Sequence, residues 1–425
     1  MSEPARRSGE IVAFYGDDFT GSVDALLQFA RRGWTGRLFT TIPDAAALRR
    51  AASEVDVVGV AGISRSLDPD AMEAELRPVL EAFHALAPRI VQYKACSTAD
   101  SAPTVGSLGR VIELGREVFG ERPIPMLFAQ PDFGRYTLFG QHFAAERGVV
   151  YRLDRQPTMS THPSTPMTEA DLAVHLGRQT SLALGSVPLV AYDDLASRLR
   201  GAPEAALVLD ALTDEHLVTV GAALQALPSP IFAIGSGGLS HGIAAAAPGA
   251  AAALPTSTPA SGPVLVVSGS RSAQTRRQAD AAAAAGWQVR PLPLGAANLG
   301  PTIDEVVAAL RSGRGVVLTS DDADTTSATA GPVLEAIAEA AASVVSTAVR
   351  NGATRRVIVC GGDTSSRVTR LLGVDSLSIA ANPWGNVVLL RAHASDPALD
   401  GLELLLKGGQ VGADTLFTDV AALGT

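Results

Sequence analysis

Lysine is scarce in this chain of 425 residues, which has 34 basic residues in all. Its only lysines are Lys94 and Lys407, so nearly all of the positive charge comes from arginine. A coding bias against lysine would leave these two residues as chance survivors. The alternative is that each stands where a compact ammonium group is needed and a planar guanidinium would not serve.

Cysteine is equally rare. Cys96 and Cys360 lie far apart in the sequence, and neither is close to a second cysteine or to a histidine pair. This spacing makes a disulfide framework and a zinc site poor interpretations.

Long hydrophobic runs are also missing. No apolar stretch is long enough to span a bilayer, and the mean hydropathy of +0.21 comes largely from alanine. The apolar run at residues 11–15 stops at Gly16 and is too short for a secretory signal. We therefore expect a cytoplasmic protein without a membrane partner.

The chain also has no excess of positive charge, since its net charge is −9 and its isoelectric point is near 5.3. A general nucleic-acid-binding protein needs a basic surface to neutralise phosphates, so no nucleic-acid partner is expected. A small anionic ligand is still compatible with these totals, since one local group of donors is enough to bind it.

Short apolar runs alternate with longer amphipathic segments, a pattern typical of βα units around a parallel sheet. Residues 244–263 are mostly Ala, Pro, Ser, Thr and Gly without charge, which indicates a linker. We predict an α/β fold with two domains, residues 1–250 and 251–425, each a mostly parallel sheet flanked by helices. The predicted strands are residues 11–15, 55–61, 89–93, 125–129, 206–209, 231–234, 264–267, 287–290, 315–318 and 356–360.

An acidic motif, Gly-Asp-Asp-Phe-Thr-Gly-Ser-Val-Asp at residues 16–24, follows the first predicted strand. Ligands of open α/β sheets bind at the carboxyl ends of strands. There Asp17 and Asp18 could grip hydroxyl groups, act as a base or hold a metal. An aspartate, Thr20 or Ser22 could instead cap the next helix. A single cap does not account for so many polar groups, so we expect a functional role.

A second polar motif, Tyr-Lys-Ala-Cys-Ser-Thr-Ala-Asp-Ser at residues 93–101, follows another predicted strand. Lys94, Ser97 and Thr98 concentrate hydrogen-bond donors suited to an anion. The alternative is a polar turn in which Ser101 or Thr104 caps the following helix.

Two further segments of the first half have functional residue types. In residues 130–142, Arg135 could pair with a carboxylate through two hydrogen bonds. Residues 154–167 combine three prolines with hydroxyl groups and His162, which predicts an ordered loop.

Three glycine-containing loops in the second half, residues 267–272, 361–365 and 407–412, resemble phosphate-binding turns. The first two place backbone N–H groups at a helix N-terminus, an arrangement that binds phosphate. None is a Walker A loop, and neither half of the chain has a dinucleotide glycine fingerprint. Each loop alone could be an ordinary βα turn, but together they favour phosphate binding.

The order of these motifs closely resembles the four-carbon acid sugar kinase family over nearly the whole chain. The motifs that carry the resemblance are Asp17-Asp18-Phe19-Thr20-Gly21, Tyr93-Lys94-Xaa-Cys-Ser-Thr-Xaa-Asp-Ser, His162-Pro163-Xaa-Thr165-Pro166-Met167, Ser268-Gly269-Ser270 with Thr275-Xaa-Xaa-Gln278, and Gly361-Gly362-Asp363-Thr364-Ser365.

The resemblance implies that an N-terminal domain binds a sugar acid and a C-terminal domain binds ATP. It places the active site in the cleft between the domains, with ATP as the phosphoryl donor. We expect Mg²⁺ as the second cofactor and Asp17 or Asp18 as the base. Together with the motifs, it predicts substrate contacts from Asp17, Asp18, Lys94, Ser97, Thr98, Arg135 and His162. The predicted nucleotide contacts are Ser268, Ser270, Gly361, Gly362, Asp363, Thr364, Gly408 and Gly409.

Two departures from the family pattern leave the exact acid open. Residues 131–136 differ from an Asn-Gly-Arg pattern, and residues 408–412 replace Ser-Gly-Asn-Phe-Gly. We expect phosphorylation of the terminal hydroxyl of a threonate-, erythronate- or oxo-tetronate-type acid. The alternatives are a kinase of another small sugar acid or polyol and a non-catalytic sensor. The metal ligands are undefined, and a homodimer is left open.

Overall fold

The computed structural model describes residues 11–247, 254–258, 262–294, 296–320, 330–385 and 387–423. The chain forms two compact units: Met1–Leu38 with Ile42–Ala253, and Phe39–Thr41 with Leu254–Thr425. The boundary predicted after residue 250 lies outside the described residues and stays a prediction.

The first unit alternates strands and helices along most of its length. Its strands are β1 (Val12–Gly16), β2 (Gly36–Phe39), β3 (Val57–Ala61), β4 (Ile90–Lys94), β5 (Ile124–Leu127), β6 (Arg135–Leu138), β7 (Gln141–Glu146), β8 (Val149–Arg152), β9 (Leu184–Val187), β10 (Ala206–Leu209) and β11 (Ile231–Gly235). Its helices are α1 (Phe19–Ala30), α2 (Ala45–Glu54), α3 (Pro69–Ala85), α4 (Leu108–Phe119), α5 (Leu172–Gly177), α6 (Leu195–Gly201), α7 (Asp214–Gln225) and α8 (Gly237–Ala246).

The main sheet of this unit has the strand order β2-β3-β1-β4-β11-β5-β10-β9, and its pairs from β3 to β9 are parallel. In this register Gly16 lies opposite both Ala61 and Lys94, and Lys94 lies opposite Gly235. Four neighbouring strands therefore end at one edge, and the loops that follow them start side by side. Strands β6, β7 and β8 form a separate antiparallel sheet.

The core of the first unit explains why its central strands are apolar throughout. All residues of β1 and β4 are buried, as expected for a parallel sheet covered on both faces. Phe14 stacks on Phe29 of α1, and Tyr15 stacks on Tyr93, with ring centroids 6.3 and 5.8 Å apart. These contacts fix β1 and β4 beside each other, immediately before the two polar motifs.

The second unit repeats the alternation with a different final part. Its strands are β12 (Val264–Ser268), β13 (Gln288–Pro291), β14 (Val316–Thr319), β15 (Arg356–Cys360), β16 (Ser376–Trp384), β17 (Val387–His393) and β18 (Glu403–Lys407). Its helices are α9 (Ala273–Ala284), α10 (Ala296–Arg311), α11 (Ala330–Arg350), α12 (Gly362–Leu371) and α13 (Leu416–Ala422).

The strands of this unit are ordered β13-β14-β12-β15-β18-β17-β16. Pairing is parallel from β13 to β18, whereas β17 is antiparallel to β18 and β16. Ser268 lies opposite Cys360, and Cys360 lies opposite Lys407, so these three strands also end together. The predicted fold class, α/β with two mostly parallel sheets flanked by helices, is confirmed.

No helix in the described part of the chain is both long and apolar enough to cross a membrane.

Candidate active site

A single arginine binds both aspartates of the first motif. Arg65 Nε and Nη2 donate to Asp17 Oδ2 and Oδ1 at 3.0 and 2.7 Å, which is a bidentate ion pair. Its third nitrogen, Nη1, lies 2.7 Å from Asp18 Oδ2. The guanidinium thus fixes the separation and orientation of the two carboxylates.

The fold brings Arg65 to this place through β3. The loop after β3 begins beside the loop after β1, and the Arg65 N–H donates to the Asp17 carbonyl at 3.1 Å. Ser64, which is fully buried, forms a 2.9 Å hydrogen bond with the Tyr93 hydroxyl. The backbone of this turn is therefore anchored on both sides of the guanidinium.

The two aspartates differ in their surroundings. The side chain of Asp17 is 3% exposed and that of Asp18 is 32% exposed. Burial raises the pKa of the Asp17 carboxyl, while the Arg65 charge acts in the opposite direction. Burial alone would lower the pKa of Arg65, but the neighbouring Asp17 and Asp18 charges raise it overall. The guanidinium therefore stays protonated, and Asp18 is the carboxylate that a ligand can reach.

The capping role considered for this motif belongs to Asp18. Its Oδ1 accepts from the Gly21 N–H at 2.6 Å at the start of α1, and its other oxygen binds Arg65. Asp18 consequently combines a helix cap with a place in the charged cluster.

Lys94 belongs to the same cluster. It is 3% exposed, and its Nζ donates to the Ala95 carbonyl at 3.0 Å and lies 3.9 Å from Asp24 Oδ2. The Gln130 amide donates to that same Asp24 oxygen at 3.2 Å. The Lys94 carbonyl accepts from the Asp17 N–H at 3.0 Å, which ties the second motif to the first.

A buried histidine, His142, supports the polar loop after β4. His142 Nε2 donates to the Ser97 carbonyl at 2.8 Å, and its Nδ1 is 2.9 Å from the Thr137 hydroxyl. Burial lowers the pKa of His142 to about 4, so the ring is neutral near pH 7. Thr98 is buried, and its hydroxyl donates to Asp100.

The structure does not bring Arg135 and His162 to this cluster. Arg135 Nη1 donates to the carbonyls of Phe133 and Ala145, at 2.7 and 3.2 Å, and so closes its own hairpin. His162 Nδ1 accepts from the N–H of Thr165 at 3.1 Å within a turn. Neither forms a hydrogen bond or ion pair with Asp17, Asp18 or Lys94.

The predicted nucleotide residues of the second unit converge at its sheet edge. A Cβ atom on Gly269 would lie 2.1 Å from Thr364 Oγ1, and one on Gly409 would lie 2.7 Å from Ser270 Oγ. The first glycine loop therefore touches both of the others. The loop residues that meet here are Ser268, Ser270, Gly361, Gly362, Thr364, Gly408 and Gly409. The side chain of Asp363 lies outside the described part of the chain.

Gly361 has a conformation that requires glycine. Its φ of +113° is a region that residues with a Cβ rarely adopt, and its N–H donates to the Lys407 carbonyl at 2.9 Å. This geometry begins α12 directly at the end of β15 and turns the helix N-terminus toward the loops.

Helix α9 fastens the last glycine loop to the first. The Gln278 amide donates to the carbonyls of Val411 and Ala413 at 3.0 and 2.9 Å. The hydroxyls of Ser272 and Thr275 both donate to the Gly409 carbonyl. Side chains of one helix thus set the position of the loop at residues 408–413.

Arg65, Asp24 and Gln130 belong to the cluster but are not among the substrate contacts predicted from the sequence. Ser64-Arg65-Ser66 directly follows a predicted strand, which is the signal that could have revealed Arg65. Asp24 lies in the acidic motif itself, but only its contact with Lys94 distinguishes it from a surface residue of α1.

No group of three or more metal-ligating side chains occurs among the residues that the structure describes. Mg²⁺ in nucleotide sites is commonly held by phosphates, water and one or two carboxylates. The described side chains are thus compatible with a metal ion that binds together with the nucleotide.

Family models match both units. Residues 12–243 match a sugar-binding N-terminal domain, and residues 265–417 match a nucleotide-binding C-terminal domain. The chain belongs to the four-carbon acid sugar kinase family. The resemblance inferred from the motifs is thereby confirmed, and the protein is a sugar acid kinase, an enzyme with a sugar acid and a nucleotide as substrates.

Three relatives align with this chain over nearly the whole length of both proteins. A 3-oxo-isoapionate kinase of Paraburkholderia graminis is 38% identical, covering 96% of this chain and 94% of the relative. A 3-oxo-tetronate kinase of Pseudomonas fluorescens is 30% identical, with 95% and 94% covered. A D-threonate kinase of Bordetella bronchiseptica is 28% identical, with 97% of both chains covered.

Solved structures show the same fold. A Salmonella typhimurium protein described as a putative tRNA synthase superimposes with a TM-score of 0.78 at 23% identity, over 96% of this chain and 98% of its own. A Haemophilus influenzae protein gives 0.75 at 21% identity, over 97% of this chain and 100% of its own.

Proposed function

We propose that this kinase transfers the γ-phosphoryl group of ATP to the terminal hydroxyl of a small 3-oxo sugar acid. The observation that carries the proposal is the charged cluster at the sheet edge of the first unit. It combines an ion pair between the buried Asp17 and the partly exposed Arg65, an accessible carboxylate, Asp18, and a buried ammonium, Lys94.

The cluster has separate groups for the two ends of a sugar acid. Lys94 uses one N–H on the Ala95 carbonyl, and an ammonium has three donors, so it can also hold the substrate carboxylate. The Ser97 hydroxyl makes no hydrogen bond to any other described residue, which leaves it free for the same ligand. We place the carboxylate of the acid against Lys94 and Ser97.

We assign the base to Asp18. Its carboxylate is the more exposed of the pair, and Arg65 holds it in one orientation. As the substrate hydroxyl oxygen bonds to the γ-phosphorus, its proton passes to Asp18. The bond from phosphorus to the bridging oxygen breaks, and ADP leaves. Asp17 acts through Arg65 as a positioning residue.

Positioning and charge neutralisation supply most of the catalysis in phosphoryl transfer. The N–H groups at the start of α12 and the hydroxyls of Ser268 and Ser270 are the proposed donors to ATP. Mg²⁺ supplies charge neutralisation when it is bound to the phosphates. In the sequences of the glycine loops, Asp363 has the carboxylate that is the candidate ligand for this ion.

The choice of a 3-oxo acid rests on the relatives. The kinases at 38% and 30% identity are named for 3-oxo-isoapionate and 3-oxo-tetronate, whereas the D-threonate kinase is 28% identical. A four-carbon acid, as the motifs predict, and 3-oxo-isoapionate are therefore the two substrates to compare first.

The test is ADP formation by the purified enzyme with ATP, Mg²⁺ and each of 3-oxo-isoapionate, 3-oxo-tetronate and D-threonate. We expect a phosphorylated product, seen by mass spectrometry, with a higher kcat/KM for a 3-oxo acid than for D-threonate. A reaction without acid is the control for ATP hydrolysis. No ADP above that control with any of the acids would overturn the proposal.

A further inference from the structure

The second lysine of the chain is buried at the sheet edge of the nucleotide-binding unit. Lys407 is the last residue of β18 and is 3% exposed. Its Nζ donates to Thr275 Oγ1 at 3.0 Å. Burial lowers the pKa of this ammonium. Its surroundings are polar, because Thr275 also reaches Ser270 Oγ at 3.3 Å.

Lys407 has no counter-charge within the described chain, since its one hydrogen bond goes to a hydroxyl and no described carboxylate lies within ion-pair distance. The other end of the same strand provides a contrast. There Glu403 forms a buried ion pair with Arg356 of β15, with Nε and Oε2 2.9 Å apart and both side chains at most 4% exposed. One strand therefore has a compensated buried charge at its start and an uncompensated one at its end.

An uncompensated buried charge is costly, and buried charges in proteins are normally paired. The end of β18 is also where the three glycine loops meet, because Lys407 lies opposite Cys360 and its carbonyl accepts from the Gly361 N–H. An anion that enters at these loops would therefore supply the counter-charge that the described side chains do not provide. A phosphate group fits this description, since Lys binds phosphates as a compact point charge.

We propose that Lys407 Nζ binds a phosphate oxygen in the ADP part of the nucleotide, with Thr275 positioning the ammonium. The inference rests on the proposed use of ATP, and it adds a binding residue that is not among the predicted nucleotide contacts. Lysine suits this role, because its ammonium is a compact point charge whereas a guanidinium is planar and larger.

The test is calorimetric titration of ADP into wild type, Lys407→Met and Lys407→Gln, with Arg277→Met as the matched control. Arg277 lies on α9 two residues after Thr275, but it is exposed and paired with Asp414. Losing one charge-assisted hydrogen bond should weaken ADP binding about 10- to 100-fold. We expect this loss in both Lys407 variants and no change in Arg277→Met.

A second readout separates binding from a structural role. Removing an uncompensated charge should leave the melting temperature of the ligand-free protein unchanged or higher. Adenosine, which has no phosphate, should compete with ADP equally well in wild type and Lys407→Gln. ADP affinity equal to wild type in both variants would overturn the inference, as would an equal loss of adenosine and ADP binding. ADP binding requires no sugar acid, so these results are independent of whether an acid is phosphorylated.

Discussion

At the scale of single residues, Arg65 defines the chemistry of the first unit. It neutralises the buried Asp17 in a bidentate pair and uses its remaining nitrogen to hold Asp18. Two adjacent carboxylates would repel each other without this cation. The pair therefore presents one fixed, partly exposed carboxylate.

The assignment of Asp18 as the base predicts the effect of Asp18→Asn. The amide oxygen can still accept from the Gly21 N–H, so α1 keeps its cap. We expect kcat to fall roughly 10²- to 10⁴-fold, with the KM for ATP unchanged. The matched control is Asp44→Asn, which alters the exposed N-cap of α2. Wild-type kcat in Asp18→Asn would show that another group accepts the proton.

The ion pair predicts the stability of Arg65→Met. This change leaves the Asp17 carboxylate buried without its cation, which should lower the free energy of unfolding by about 3–5 kcal/mol. The double variant Arg65→Met with Asp17→Asn should recover part of this loss, because the buried Asp17 charge is then removed as well and only the partly exposed Asp18 loses its cation. Urea unfolding measures both.

The control for this series is Arg77→Met. Arg77 joins Glu73 and Glu117 in a partly exposed network, for which we expect a much smaller loss than for Arg65→Met. A double variant no more stable than Arg65→Met would contradict the electrostatic explanation.

At the scale of elements, two neutral histidines support the loop between β4 and α4. His142 on β7 binds the Ser97 carbonyl, and His175 on α5 lies 3.2 Å from the Ser101 hydroxyl. Burial lowers the pKa of each ring to about 4. The antiparallel sheet and α5 thus hold the polar loop from two sides.

These histidines predict a loss of stability in acid. Between pH 6.5 and 4 the unfolded chain binds a proton at each ring and the folded chain does not, so stability falls as the pH falls. For His142 alone the loss from pH 7.5 to pH 5 is about 2 kcal/mol. His142→Gln should therefore reduce the difference in unfolding free energy between these two pH values, as measured in urea.

His84→Gln is the control for that experiment, because His84 is exposed near the end of α3. It should leave the pH dependence as in wild type. An unchanged pH dependence in His142→Gln would mean that the pKa of this ring does not differ between the folded and unfolded states.

At the scale of the whole molecule, each unit builds its polar groups at the carboxyl edge of a parallel sheet. This much could be predicted from the sequence, because Asp17, Lys94, Ser268 and Gly361 all follow apolar runs that had to be strands. In a parallel sheet such strand ends lie at one edge, whatever the strand order.

The roles of the other site residues could not be predicted from the sequence, because they depend on the strand order and on the partners of each side chain. Arg65 reaches Asp17 because β3 lies beside β1, although β2 separates them in sequence. Arg135 has the fork that suits a carboxylate, yet its Nη1 donates to backbone carbonyls of its own hairpin rather than to the cluster. The short strands β6, β7 and β8 were not predicted, since the first two are interleaved with polar residues and glycines that resemble a loop.

The central claim is that the first unit binds the acid and the second binds the nucleotide. It is tested most directly by measuring the KM of both substrates in Lys94→Met and Gly361→Ala, with the best acid of the panel. Lys94→Met should raise the KM of the acid about tenfold or more and leave that of ATP unchanged. Gly361→Ala places a Cβ atom at a φ of +113° and is therefore strained. It should raise the KM of ATP and leave that of the acid unchanged. Both constants changing together in each variant would contradict the account.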